Sequence, residues 1–288
     1  MTVPSPLERL RQQMAQDRVA VMLVNGLHSV RYLTGFGGDD SWLAVTEKEA
    51  VFFTDFRYLE QVAQETSGLR VVDAKGKLLP AVGDFVRTLP PGRLGFEENQ
   101  LTVGKFRELE AGLPGWEWVP SGARVDGLRT VKTSEELERI GDAIRAAEQA
   151  VENLKNDMQE GVTEKFLADR LEFLLREAGA SASSFPAIVA FGERSSLPHA
   201  IPTATRRLAC GEPLLVDWGA CCRYYVSDLT RVFFLRRIDE PFAEIYGIVL
   251  QAQALAIAKV APGRSLREVD LAARDHIREK GYGDRFGH

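Results

Sequence analysis

The sequence predicts two domains, an α/β domain followed by an α+β domain, and three observations predict it. Strands alternate with helices through the first third of the chain. A cluster of prolines and glycines at 114–122 interrupts that pattern. Beyond it, long helical stretches are separated by strand-rich runs, the pattern of helices packed on a mainly antiparallel sheet. At 288 residues the chain also exceeds what one small core usually organises.

The elements follow in order. Residues 5–17 read as a short amphipathic helix. Val19–Val24 is an unbroken apolar run and reads as a buried strand, closed by the Asn25-Gly26 turn. Residues 42–45 and 50–53 read as strands, 58–65 as a helix, 69–72 as a strand and 79–88 as a helix stopped by Pro90-Pro91-Gly92. Arg93–Phe96 is a further short strand. A linker is expected within 119–127, which sets the domains at 1–124 and 125–288. Thr133-Ser134-Glu135-Glu136 then opens a helix running to about 155, with Ser134 as cap and glutamates in the first turn. A second helix opens at 161–164 and ends near Gly179. Residues 184–191 and 213–235 are strand-rich, and 241–260 and 265–280 are helical. No repeat at solenoid period and no low-complexity segment occurs.

The composition is 45% hydrophobic and 27% charged, ample for a buried core. A net charge of -5 argues against a nucleic-acid partner, which would call for a basic patch. The apolar run at 19–24 is too short to span a bilayer, and with Asp17 before it and Asn25-Gly26 after it, it does not suit a signal peptide. The expectation is a soluble, cytoplasmic protein with no membrane partner. The three cysteines, Cys210, Cys221 and Cys222, do not form a disulfide framework. Adjacent residues of a strand face opposite ways, so Cys221 and Cys222 read as ordinary turn or strand residues rather than joint metal ligands.

The informative stretch is 213–235, where two apolar strands flank a polar turn and each carries one carboxylate, Asp217 and Asp228. With the turn centred near Cys222, Asp217 faces residue 227 or its neighbour, so Asp228 lies beside it, with Cβ atoms about 4.5–5.5 Å apart. Arg231 is expected on the other face and Arg223 in the turn, leaving no evident cation between the aspartates. Two such carboxylates do not ionise cheaply together. Three readings remain open: a bound divalent metal pair, a proton-sharing dyad, or one aspartate capping a turn at the surface. Of the four histidines, His28 and His276 read as surface residues. His199 lies in a loop stiffened by Pro198 and Pro202 and is a candidate for substrate binding or proton transfer, or is a simple hydrogen-bonded loop residue. His288 follows a glycine-rich turn at 281–287, where the chain reads as interrupted.

The runs SFPAIVAFG (184–192), LPHA (197–200), LVDWGA (215–220) and SDLTR (227–231) together resemble the proline-specific pita-bread metallopeptidases, the Xaa-Pro dipeptidases (prolidases) and Xaa-Pro aminopeptidases. DGLRTVKTSEE (126–136) and VRYLTGF (30–36) extend the resemblance along essentially the whole chain. It implies a creatinase-like N-terminal domain, a pita-bread catalytic domain and hydrolysis of the first Xaa-Pro bond of dipeptides or short peptides. It implies two divalent metal ions, manganese first and cobalt or zinc next, and a homodimer. Asp217 matches the aspartate that chelates one ion and Asp228 the one that bridges both. His199 matches a substrate-contacting, catalytic histidine, and His288 a substrate-contacting histidine. The remaining histidine and two glutamate ligands of the pattern would fall beyond residue 288, so a piece of a longer enzyme is expected. The alternative is a metal-free pita-bread module that binds peptides or proteins. Creatinase shares the fold without metals and has no need of the two aspartates.

Overall fold

The apolar run 19–24 becomes the centre of the first sheet. A computed structural model describes residues 4–240 and 242–287, and the chain divides into two units, Met1–Lys132 and Thr133–His288. In the first, β1 (Val19–Val24) pairs antiparallel with β2 (Trp42–Thr46), which pairs antiparallel with β3 (Ala50–Thr54). Parallel pairings add β4 (Arg70–Asp73) beside β3, and β5 (Arg93–Phe96) then β6 (Glu117–Pro120) on the other side of β1. The order is β4-β3-β2-β1-β5-β6.

Strand alternation sends Met22 and Val24 to one face and Val21 and Leu23 to the other. The first face packs Leu10 and Met14 of α1 (Pro6–Gln16), Val30 and Leu33 of α2 (Leu27–Thr34) and Val62 of α3 (Leu59–Glu65). The second packs Val82 and Val86 of α4 (Leu78–Arg87) and Leu109 of α5 (Val103–Gly112). Both faces are covered, which is why β1 reads as a continuous apolar run rather than an alternating one. The stretch expected to be a linker holds the end of β6 and α6 (Gly122–Leu128), whose Val125 and Leu128 enter the first core. Its prolines and glycines mark turns inside this unit.

The second unit begins with α7 (Ser134–Leu154), capped by Thr133 rather than Ser134: the Thr133 hydroxyl accepts from the Glu136 amide, and the Glu136 carboxylate accepts from the Thr133 amide. Thr133 precedes the first helical residue, so its extended backbone aims the hydroxyl at the free amides of the first turn. Small residues Ala143, Ala147 and Ala150 let α7 approach Leu167, Leu171 and Leu174 of α8 (Glu164–Glu177). Two three-stranded sheets lie against this pair. One has the order β12-β9-β8, from β8 (Ile188–Phe191), β9 (Pro213–Trp218) and β12 (Leu229–Phe234). The other has the order β11-β10-β7, from β7 (Ala182–Ser183), β10 (Ala220–Cys222) and β11 (Tyr225–Val226). All their pairings are antiparallel, as expected. The buried Trp218 indole donates to the Ala147 carbonyl at 2.9 Å and ties β9 to α7.

The unit ends with α9 (Phe242–Lys259) and α10 (Leu266–Glu279), joined through Ile248, Ala252 and Ile277. Pro241, where α9 was expected to begin, lies outside the described residues. Ile245, Val249, Leu250 and Ile257 of α9 are exposed.

Candidate metal centre

Asp217 sits on the central strand β9, paired with Ile188 of β8 on one side and Thr230 of β12 on the other. The register differs from the expected one. The turn is at Arg223-Tyr224, both in the left-handed region with φ of 49° and 69°, as a two-residue hairpin turn demands. Cys222 pairs with Tyr225, Cys221 with Val226 and Trp218 with Leu229, all centred on that turn. Thr230 therefore stands opposite Asp217, and Asp228 is the diagonal neighbour on the same face. Ordinary sheet geometry sets such residues about 7–8 Å apart.

The hairpin changes sheets between the carboxylates and the turn, and Gly219 makes the change. A Cβ there would stand 1.9 Å from the Ser227 carbonyl oxygen, so only glycine fits. The buried Ser227 closes the crossing. Its amide donates to the Ala220 carbonyl at 2.9 Å, and its hydroxyl accepts from the Ala220 amide and donates to the Ala143 carbonyl, each at 3.0 Å. The Ser184 hydroxyl donates to the Ser227 carbonyl at 2.9 Å, and the Ser184 amide donates to the Gly219 carbonyl at 3.0 Å.

Asp217 is half-buried and Asp228 is exposed. Burial pushes the Asp217 carboxyl above the usual aspartate range, and the neighbouring Asp228 charge adds to the rise; the Thr230 hydroxyl, donating at 2.9 Å, opposes it. Arg231 pairs with Val216 and so belongs to the opposite face, as anticipated. Among the described residues neither carboxylate has an ion-pair partner. A partly desolvated carboxylate with a second negative charge beside it and no cation is a donor set that a hard divalent ion completes. The two aspartates therefore fit part of such a site. No group of three or more His, Cys, Asp or Glu suited to a metal occurs among the described residues.

His199 is exposed in the loop that links the 3-10 turn Gly192–Ser196 to β9. It joins no such metal-holding group with the aspartates. His28 is exposed on α2 and His276 is half-buried on α10. His288 lies outside the described residues. The three cysteines are free; Cys222 is buried, and that burial raises its thiol pKa. A cleft of about 780 Å³ opens elsewhere in this unit, lined by Asp142, Arg145, Cys222 and Arg223 among others. Asp142 pairs with both guanidinium groups. Asp217, Asp228 and His199 do not line the cleft, and we place the chemistry on the Asp217–Asp228 face instead, because the charge there is unbalanced while Asp142 is paired.

Sequence reasoning passed over Thr230. Its signal was present: it follows Asp228 by two residues, and strand alternation puts both on one face. It also passed over Glu164, a fully buried carboxylate at the start of α8.

An α/β unit followed by helices on antiparallel sheets that present paired aspartates is the arrangement to which the comparisons with known proteins assign a class. The second unit matches the model of metallopeptidase family M24 over residues 138–288, and the first matches the Creatinase/Prolidase N-terminal domain over residues 6–131. The chain belongs to metallopeptidase family M24 and is an enzyme of the peptidase class, with the pita-bread fold that the motifs implied. It is 38% identical over 282 residues to the uncharacterized peptidase YqhT of Bacillus subtilis (strain 168), covering 98% of this chain and 80% of that one. It is 38% identical over 286 residues to the Xaa-Pro dipeptidase of Pyrococcus furiosus, covering 98% and 79%. Among solved structures, the Xaa-Pro dipeptidase from Bacillus anthracis superposes with a TM-score of 0.93 at 35% identity, covering 98% of this chain and 79% of that one. The chain thus spans about four fifths of the length of these relatives. Membership of the family implies divalent metal ions and a peptide substrate. No helix among the described residues is long and apolar enough to cross a membrane.

Proposed function

We propose that this protein hydrolyses the N-terminal Xaa-Pro bond of dipeptides or short peptides, with two divalent metal ions bound at Asp217 and Asp228. The observation that carries the reading is the same-signed Asp217–Asp228 pair, with Asp217 half-buried and neither carboxylate ion-paired among the described residues. The names of the Pyrococcus furiosus and Bacillus anthracis relatives support the proline preference. When bound, such ions supply Lewis acidity and a water acidic enough to be deprotonated near neutral pH. Asp217 and Asp228 hold them, and Thr230 fixes the Asp217 carboxylate by donating to one oxygen. His199 contacts the peptide and holds or moves a proton at its imidazole nitrogen. His288 is assigned a substrate contact on the resemblance alone. Manganese is the first choice of metal, ahead of cobalt and zinc. The same resemblance carries a homodimer, and the sequence reading, not the resemblance, carries a cytoplasmic location.

The test is a manganese titration of the protein as its host produces it and of its Asp217→Asn variant, with hydrolysis of Ala-Pro and Ala-Ala followed in parallel. Stoichiometric uptake, selective cleavage of Ala-Pro, and loss of about 100-fold or more of both affinity and turnover in the variant are expected. Absence of manganese uptake together with retained peptide binding would replace this reading with a metal-free peptide-binding module.

A further inference from the structure

The loop 192–203 that carries His199 has almost nothing apolar to hold it. Leu197 and Ile201 are exposed, and Ala200 is its one buried apolar residue. Segments with so few buried apolar contacts open locally unless polar anchors restrain them. The anchors here converge on one side chain. Glu164, the first residue of α8, is fully buried. Its Oε1 accepts from the Phe191 amide at 3.0 Å, just ahead of the loop, and its Oε2 accepts from the Thr203 amide at 3.0 Å, at the far end. Arg194, inside the loop, donates its Nε to both oxygens at 3.0 and 3.1 Å, and its Nη2 donates to the Ile201 carbonyl at 2.8 Å. Both ends of the loop and its interior are thereby fastened to one carboxylate.

Position explains why a carboxylate can serve there. A fully buried carboxylate is costly unless paired and hydrogen-bonded. Glu164 has a guanidinium partner, two backbone donors and the positive end of α8, which favours an anion in the first helical turn. The Lys165 amide also donates to the Thr203 carbonyl at 3.0 Å, so the loop end is docked on the same helix start.

We propose that the Glu164–Arg194 pair is the clasp that holds the 192–203 loop, making both residues positioning residues for His199; this rests on the reading of His199 as a substrate-contacting group. Glutamine at 164 keeps the size but replaces one acceptor oxygen with a donor that faces either an amide or the guanidinium.

The full chain, labelled with 15N, tests the proposal. The His199 imidazole resonance is identified among the four histidines by its loss in His199→Gln. In Glu164→Gln, the Phe191 and Thr203 amides should exchange about tenfold faster or more, while the Val216 amide in β9 is unchanged. The His199 resonance should broaden or split. In Arg194→Gln, whose parent side chain is partly exposed, the His199 change and the Thr203 change should recur. Unaltered exchange and an unaltered His199 resonance in Arg194→Gln overturn the clasp, and that variant decides the matter if Glu164→Gln fails to fold. Separately, unchanged Ala-Pro cleavage by His199→Gln would remove His199 from the active site while leaving the clasp fully readable, so the two failures are distinct.

Discussion

At the scale of single residues, Asp217 sets the pH behaviour of the site. Its folded-state pKa is raised, chiefly by burial and then by the Asp228 charge. A raised carboxyl contributes stability that is fully present below the unfolded aspartate value, and that contribution is lost as pH rises through the folded value. Without metal, Asp217→Asn should therefore melt higher than the parent near pH 7, and the gap should narrow as pH falls toward 4, the unfolded aspartate value of about 3.9. Thermal melts across that range check it. With metal the order reverses, because a bound cation favours the ionised pair. Thr230→Val removes the hydroxyl that supports the ionised form. It should weaken manganese binding by about 10- to 100-fold, the usual cost of losing a group that orients a ligand, as calorimetry would show. The aspartates were legible in the sequence because carboxylates inside apolar strands are conspicuous. Thr230 was not, because a threonine on a strand is ordinary until the register is known.

At the scale of elements, the hairpin that carries both carboxylates depends on the sheet change at Gly219. Gly219→Ala forces a Cβ onto the Ser227 carbonyl. It should destabilise the second unit by roughly 3 kcal/mol or more, by overpacking against backbone that cannot move aside. Urea unfolding followed through the Trp218 indole resonance of the 15N-labelled protein would measure this. Thr133→Ala removes one half of the capping box on α7 and should cost only about 1 kcal/mol. The hairpin itself was readable from two apolar runs around a polar turn. Its register was not, since Arg223 and Tyr224 are not the residues that advertise a left-handed turn. Helices α2 and α5 also escaped notice. The first has eight residues and the second buries only Leu109, so neither shows a sustained apolar stripe.

At the scale of the whole molecule, each unit has its own apolar cores. The fragment 1–132 should accordingly fold alone, with a single cooperative thermal transition by circular dichroism; a broad, non-cooperative melt would contradict it. The order of an α/β unit before an α+β unit was legible because strand–helix alternation and long helices are properties of many residues at once. The place where one unit ends was less so. Prolines and glycines mark every tight turn, and at 114–122 they serve β6 and the start of α6 rather than a connection between units.

The seal at Ser227 has a further consequence. The bonds that fix the crossing lie between the Arg223-Tyr224 turn and the two carboxylates, so the turn is mechanically downstream of the site. Mutational drift at the hairpin tip, and even its lengthening, is insulated from the spacing of Asp217 and Asp228. Drift at Gly219, Ser184 or Ser227 is not. Evolutionary tolerance in this stretch should therefore be lopsided, permissive at the tip and strict at the three small residues that make the crossing.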